Sequence, residues 1–94
     1  MYFVYILVSG VDESLYTGQT QNLPARFISH NKGRVQSTRR KLPWRLGYFE
    51  LFERRADAMW REREFKKKWN TERKKRLIAG FDRSKIEELL GTER

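Results

Sequence analysis

Seven successive residues near the start, Tyr2-Phe3-Val4-Tyr5-Ile6-Leu7-Val8, contain no charged side chain and are all β-branched, aromatic or aliphatic. Ser9-Gly10 closes the run, so it reads as a buried strand. A buried strand constrains the rest of the chain, because it needs a neighbouring strand and a layer to cover it. The neighbour follows directly. Ser9 to Glu13 is rich in turn residues, and residues 14–19, Ser-Leu-Tyr-Thr-Gly-Gln, form a second short strand, which makes a hairpin. With the turn centred between Gly10 and Val11, Tyr5 faces Tyr16 on one side of the sheet.

The remaining elements have their own signals. Asn22 caps a helix that runs to about His30, with Pro24 near its start and Gly33 at its end. Residues 34–44 form a polar, basic loop, and Arg45–Phe52 is a third strand. Residues 55–69 read as the longest helix, with Ala58, Phe65 and Trp69 on one face. Asn70 or Thr71 restarts a helix that ends at Gly80. Ser84 and Glu87 have capping-box spacing ahead of a last helix, 84–90, which buries Ile86, Leu89 and Leu90. The fold class is therefore α+β, in the order β-β-α-β-α-α-α, with helices packed on a small sheet.

Ninety-four residues suit one domain, expected over 1–94. Apolar residues are only 38% of the chain, so three Trp, six Phe and four Tyr must carry much of the burial. The absence of Cys excludes disulfides and thiolate metal sites and is compatible with the cytoplasm, the expected location. No apolar run approaches a membrane span, and the first residues lack the basic flank of a signal peptide. Twenty-one Lys and Arg against twelve Asp and Glu leave a formal charge of +9, a field that attracts polyanions.

Several side chains are candidates for chemistry, each with an ordinary alternative. Tyr5 and Tyr16 are either a pair meeting one ligand or plain cross-strand aromatics. Gly18 marks a close approach or a bulge. Arg26 and His30 lie one turn apart on the first helix and project from one side. Glu62 lies between Ala58 and Phe65 on the apolar stripe of the long helix, where a carboxylate needs a cation or a basic partner such as Arg61 or Lys66. There is no Walker loop, no dinucleotide-binding glycine pattern and only one histidine, which excludes a two-histidine zinc motif.

Taken together, these residues resemble the GIY-YIG endonucleases. Phe3-Val4-Tyr5 and Tyr16-Thr17-Gly18 are similar to the two elements that name that family, with their tyrosines eleven residues apart. Phe3 stands in place of the first Gly, and Thr17 in place of the second Ile. Arg26, His30 and the segment opening Arg61-Glu62 match the family's arginine, the polar residue after it and the metal-binding glutamate. The stretch from Tyr2 to about Ile78 is similar to the small stand-alone bacterial UPF0213 proteins. The resemblance implies a three-stranded antiparallel sheet flanked by helices. It also implies an endonuclease that hydrolyses phosphodiester bonds with one weakly held Mg²⁺ or Mn²⁺.

In that scheme Tyr5 is the general base, and Tyr16 and His30 position the base or the water. Arg26 holds the phosphate, and Glu62 binds the metal. Arg39, Arg40, Lys41 and Lys66 would track the nucleic-acid backbone. The expected substrate is DNA rather than RNA, chosen by structure. No membrane and no obligate protein partner are expected. The alternative is a basic nucleic-acid-binding adaptor on the same fold, without catalysis.

Overall fold

The structure, a computed structural model, describes residues 1–91; positions 92–94 of the expected domain lie outside the described residues. Strands β1 (Tyr2–Ser9), β2 (Leu15–Thr20) and β3 (Trp44–Phe52) form one antiparallel sheet in the order β2-β1-β3. Four helices follow the expected order: α1 (Leu23–Asn31), α2 (Arg55–Lys67), α3 (Thr71–Ala79) and α4 (Arg83–Leu90). The basic loop before β3 contains a short 3-10 helix over Arg39–Lys41.

Because β1 is central, its apolar side chains are buried on both faces. Val4 and Ile6 pack with Ala58 and Phe65 of α2 and with Leu77 and Ile78 of α3. Tyr5 and Leu7 point the other way, onto Leu23 and Phe27 of α1 and Ile86 and Leu89 of α4. The sheet therefore separates two apolar layers, and α1 and α2 cover opposite faces. β2 is left as an edge strand on the side away from β3.

The hairpin register is shifted by two residues from the expected one. Tyr5 lies opposite Gly18, and Tyr16 opposite Leu7. The turn is longer because the Asp12 carboxylate accepts from both the Ser14 amide (3.0 Å) and its hydroxyl (2.7 Å), and Glu13 adopts a positive φ of 64°. A two-residue shift preserves the side-chain alternation, so Tyr5 and Tyr16 still share a face, now as diagonal neighbours.

The helix caps follow local chemistry. Asn22 accepts from the Ala25 amide (3.1 Å) and Asn70 from the Arg73 amide (2.8 Å), as side-chain caps should. The expected Ser84–Glu87 box does not form. Asp82 is the cap instead, its carboxylate accepting from both the amide (2.9 Å) and the hydroxyl (2.7 Å) of Ser84. No helix among the described residues is long and apolar enough to cross a membrane.

Candidate active site

The site begins at a missing side chain. A Cβ on Gly18 would stand 2.6 Å from the Tyr5 hydroxyl and 3.1 Å from the ring of Tyr16. Gly18 is thus a close-approach glycine on the edge strand, and what approaches is the pair of phenols. His30 of α1 completes the cluster. Its ring centroid lies 5.8 Å from that of Tyr5 and 5.2 Å from that of Tyr16, while the two tyrosine rings are 6.4 Å apart.

Polar contacts fix this cluster. His30 is fully buried, with Nε2 2.8 Å from the Tyr5 hydroxyl and Nδ1 2.8 Å from Thr38 Oγ1. Burial first, and then the Arg26 charge, holds the imidazole down at about 4, so it is neutral at pH 7. A neutral imidazole has one donor and one acceptor nitrogen. Thr38 Oγ1 also reaches the Val35 carbonyl at 3.4 Å, a group that can only accept. With the threonine proton turned there, Nδ1–H donates to Thr38, and the Tyr5 hydroxyl donates to Nε2. Thr38, 1% exposed, is a member of the cluster that the sequence reading missed. A threonine in a polar loop carries no signal of its own.

The two phenols are not equivalent. Tyr5 is 1% exposed, and burial pushes its phenol up to about 12. The nearby Arg26 guanidinium opposes that shift, while Tyr16 and the Glu62 carboxylate add to it. Arg26 itself is exposed, and Tyr16 is partly buried. The expected assignment of Tyr5 as base therefore meets a physical obstacle: the group is sealed from solvent and strongly favours its protonated form. Tyr16 is the less buried of the two phenols.

Glu62 comes from the other face of the sheet. Its helix, α2, covers the Val4 and Ile6 side, and its carboxylate sits at the margin rather than in the core. Gln19 Nε2 donates to it (2.9 Å), and Lys66 pairs with it (2.9 Å). Gln19 lies on the edge strand next to Gly18, so the carboxylate arrives where the sheet ends. Its charge acts on the Tyr5 phenol from there, as that of Arg26 does from α1. The edge strand, bare at Gly18, is where the two faces meet. Arg61 is not the partner of Glu62. It makes a two-pronged bond to Glu50 (2.9 and 2.8 Å), pairs with Glu64 (3.2 Å) and lies over the Phe65 ring.

The expected backbone-tracking cations divide. Arg39 and Arg40 are exposed and have no ion-pair partner among the described residues. Lys41 is engaged in structure, pairing with Asp12 (3.0 Å) while its carbonyl accepts from Ser9 Oγ (2.8 Å). Lys66 neutralises Glu62. Each of these lysines is paired with a carboxylate, unlike the two arginines.

The model of the GIY-YIG catalytic domain matches residues 1–76. The chain belongs to the GIY-YIG family. GIY-YIG relatives of the same size include a UPF0213 protein of Streptococcus pyogenes serotype M3, 38% identical over 88% of this chain and 90% of the relative. A UPF0213 protein of Clostridium perfringens strain 13 is 48% identical over 71% of this chain and 72% of its own. The solution NMR structure of a UPF0213 protein from Bacillus halodurans superposes with a TM-score of 0.56 at 31% identity, covering 98% of this chain and all of that one. The GIY-YIG fold and the three-stranded sheet with four helices thus agree, and the family is one associated with nucleases.

Whether the residues suit a divalent ion is a question of donors. Among the described residues no three His, Cys, Asp or Glu side chains cluster, which excludes a tight all-protein cage. Glu62 offers one margin carboxylate beside the Gln19 amide. One carboxylate is enough for a Mg²⁺-type ion that keeps most of its waters and takes further oxygens from a phosphate. The donor set fits a weakly held, substrate-assisted ion.

Proposed function

We infer that this chain hydrolyses nucleic-acid phosphodiester bonds, with DNA as the substrate. The observation that supports this most is the convergence at Gly18. Two phenols and an imidazole are packed around one bare position of an edge strand with the Arg26 guanidinium beside them, and the Glu62 carboxylate stands at the margin of the opposite face, bonded to Gln19 of the same strand.

Each residue has a role that follows from its surroundings. Arg26, exposed beside the phenols, presents a planar fork to the oxygens of the scissile phosphate and stabilises charge as it develops there. Tyr16, the less buried phenol, orients the attacking water and takes its proton. A phenol does this only as phenolate. Tyr5 does not face water; held by His30, it keeps the floor of the site fixed and dry. His30 and Thr38 lock that arrangement through their hydrogen bonds. Glu62 would hold the divalent cation once released from Lys66. A bound Mg²⁺ or Mn²⁺ would supply Lewis-acid stabilisation of the phosphoryl oxygens and the leaving oxygen. Arg39 and Arg40 extend the cationic surface from the loop that carries Thr38 and position the backbone without reading sequence.

The test is cleavage of labelled single-stranded and branched DNA in Mg²⁺ or Mn²⁺. Glu62→Ala should abolish cutting, Arg26→Ala should slow it about a hundredfold or more, and Tyr16→Phe should cost more than Tyr5→Phe. Equal cutting by parent and variants would mean that the activity is not this protein's. Salt-sensitive binding without any cutting would favour the adaptor reading.

A further inference from the structure

The outward face of α2 carries an aromatic ring that the fold does not use. Trp44 is buried and Trp69 packs against the core, but Trp60 is 60% exposed, and its neighbour Met59 is 45% exposed. Arg63 and Lys67 follow at spacings of three and seven, on the same side of the helix. Trp60, Arg63, Lys67 and Lys68 line one shallow depression. Arg63 and Lys67 also line the adjoining one, of about 240 Å³, which contains Gln19, Met59 and Glu62. The surface therefore runs without a break from the candidate metal ligand to the exposed indole.

The charges along it point to an anionic ligand. Arg63, Lys67 and Lys68 have no ion-pair partner among the described residues. Glu64, the one other acid here, is bonded to Arg61. A second copy of this chain is a poor occupant, since it would bring a formal charge of +9 onto the same cations.

We propose that this face of α2 is a subsite for an unpaired nucleotide, whose base stacks on the Trp60 indole while Arg63 and Lys67 hold the phosphates leading to Glu62. In a duplex the faces of the bases are already covered by their neighbours. Only an unpaired base offers a free face to an indole, and such stacking is sequence-tolerant. The subsite selects nucleic acids with a single-stranded segment at the cleavage point. It rests on the reading of nucleic acid as substrate and narrows it.

The experiment measures binding rather than cutting. Anisotropy of a labelled oligothymidylate of about 12 nucleotides, and of a duplex of equal length, is followed in EDTA with the full chain. Trp60→Ala should weaken the single strand at least about fivefold, the low end for loss of one stacked base, and leave the duplex unchanged. Trp60→Phe should recover most of the loss, and Arg63→Ala with Lys67→Ala should weaken both ligands. An equal loss on both ligands for Trp60→Ala, or no loss, would overturn the subsite while leaving the nuclease reading intact. So would a dimer in sedimentation that Trp60→Ala dissociates. If the parent binds neither nucleic acid, both readings fail.

Discussion

Acidification should loosen the candidate site through a single imidazole. His30 is the chain's only histidine, is fully buried, and is held at about 4 by burial and by Arg26. In the unfolded chain it titrates near the ordinary imidazole value of 6.5. Between those values the unfolded chain binds more protons than the folded one, so stability falls as the pH falls. The contribution is whole above pH 6.5 and is lost as the pH drops through about 4. A gap of roughly 2.5 units, at about 1.4 kcal/mol each, amounts to about 3.5 kcal/mol in full, of which about 3 kcal/mol is lost between pH 7 and pH 4. That is a large share of what a small domain possesses. Urea melts at pH 7 and pH 4, on the parent and on His30→Gln, isolate it. The stability difference between the two proteins should shift by about 3 kcal/mol towards the variant at pH 4. Subtraction removes the carboxylates, including Asp12, which bonds from Ser14 and Lys41 hold well below the usual carboxylate range. The lone imidazole also gives one NMR titration curve. A midpoint near 6.5, or parallel loss of stability in both proteins, would refute the argument.

Two further substitutions probe the same geometry. Gly18→Ala places a methyl carbon 2.6 Å from the Tyr5 hydroxyl in a packed cluster, so overpacking should cost about 1–3 kcal/mol; a thermal melt unchanged from the parent would show that the phenol moves aside freely. Lys66→Ala removes the cation paired with Glu62 at 2.9 Å, and since a partly exposed pair contributes up to about 1 kcal/mol, Mn²⁺ affinity by calorimetry should rise two- to fivefold, whereas an unaltered affinity would place the ion elsewhere.

The strands and the caps of α1 and α3 were legible because their causes are local. The run Tyr2–Val8 could be little else than a buried strand, and Asn22 and Asn70 cap their helices with the side-chain bonds such residues make. The hairpin register was not legible, because a two-residue shift leaves every side chain on its expected face. It depended on how Asp12 and Ser14 bond to each other, which the apolar pattern does not encode. The cap of α4 moved to Asp82 for a similar reason: its carboxylate serves the amide and the hydroxyl of Ser84 together. The phenols, His30 and Gly18 were recognisable as a set, but their division of labour was not. Burial separates Tyr5 from Tyr16, and sequence spacing says nothing about which ring meets water. The charge run 39–41 concealed an unequal pair of roles, since only the folded chain shows that Lys41 reaches Asp12 while Arg39 and Arg40 have no ion-pair partner among the described residues.

The open flank of β2 has one more implication. A sheet margin ordinarily invites another chain to zip onto it, and proteins guard against that. Here the same opening would be the doorway to the reaction centre, so blocking it and working through it are mutually exclusive. A short extended peptide that annealed along residues 15–20 would lie across the threshold between the arginine and the glutamate. It would silence the protein by closing off the opening rather than by altering any side chain.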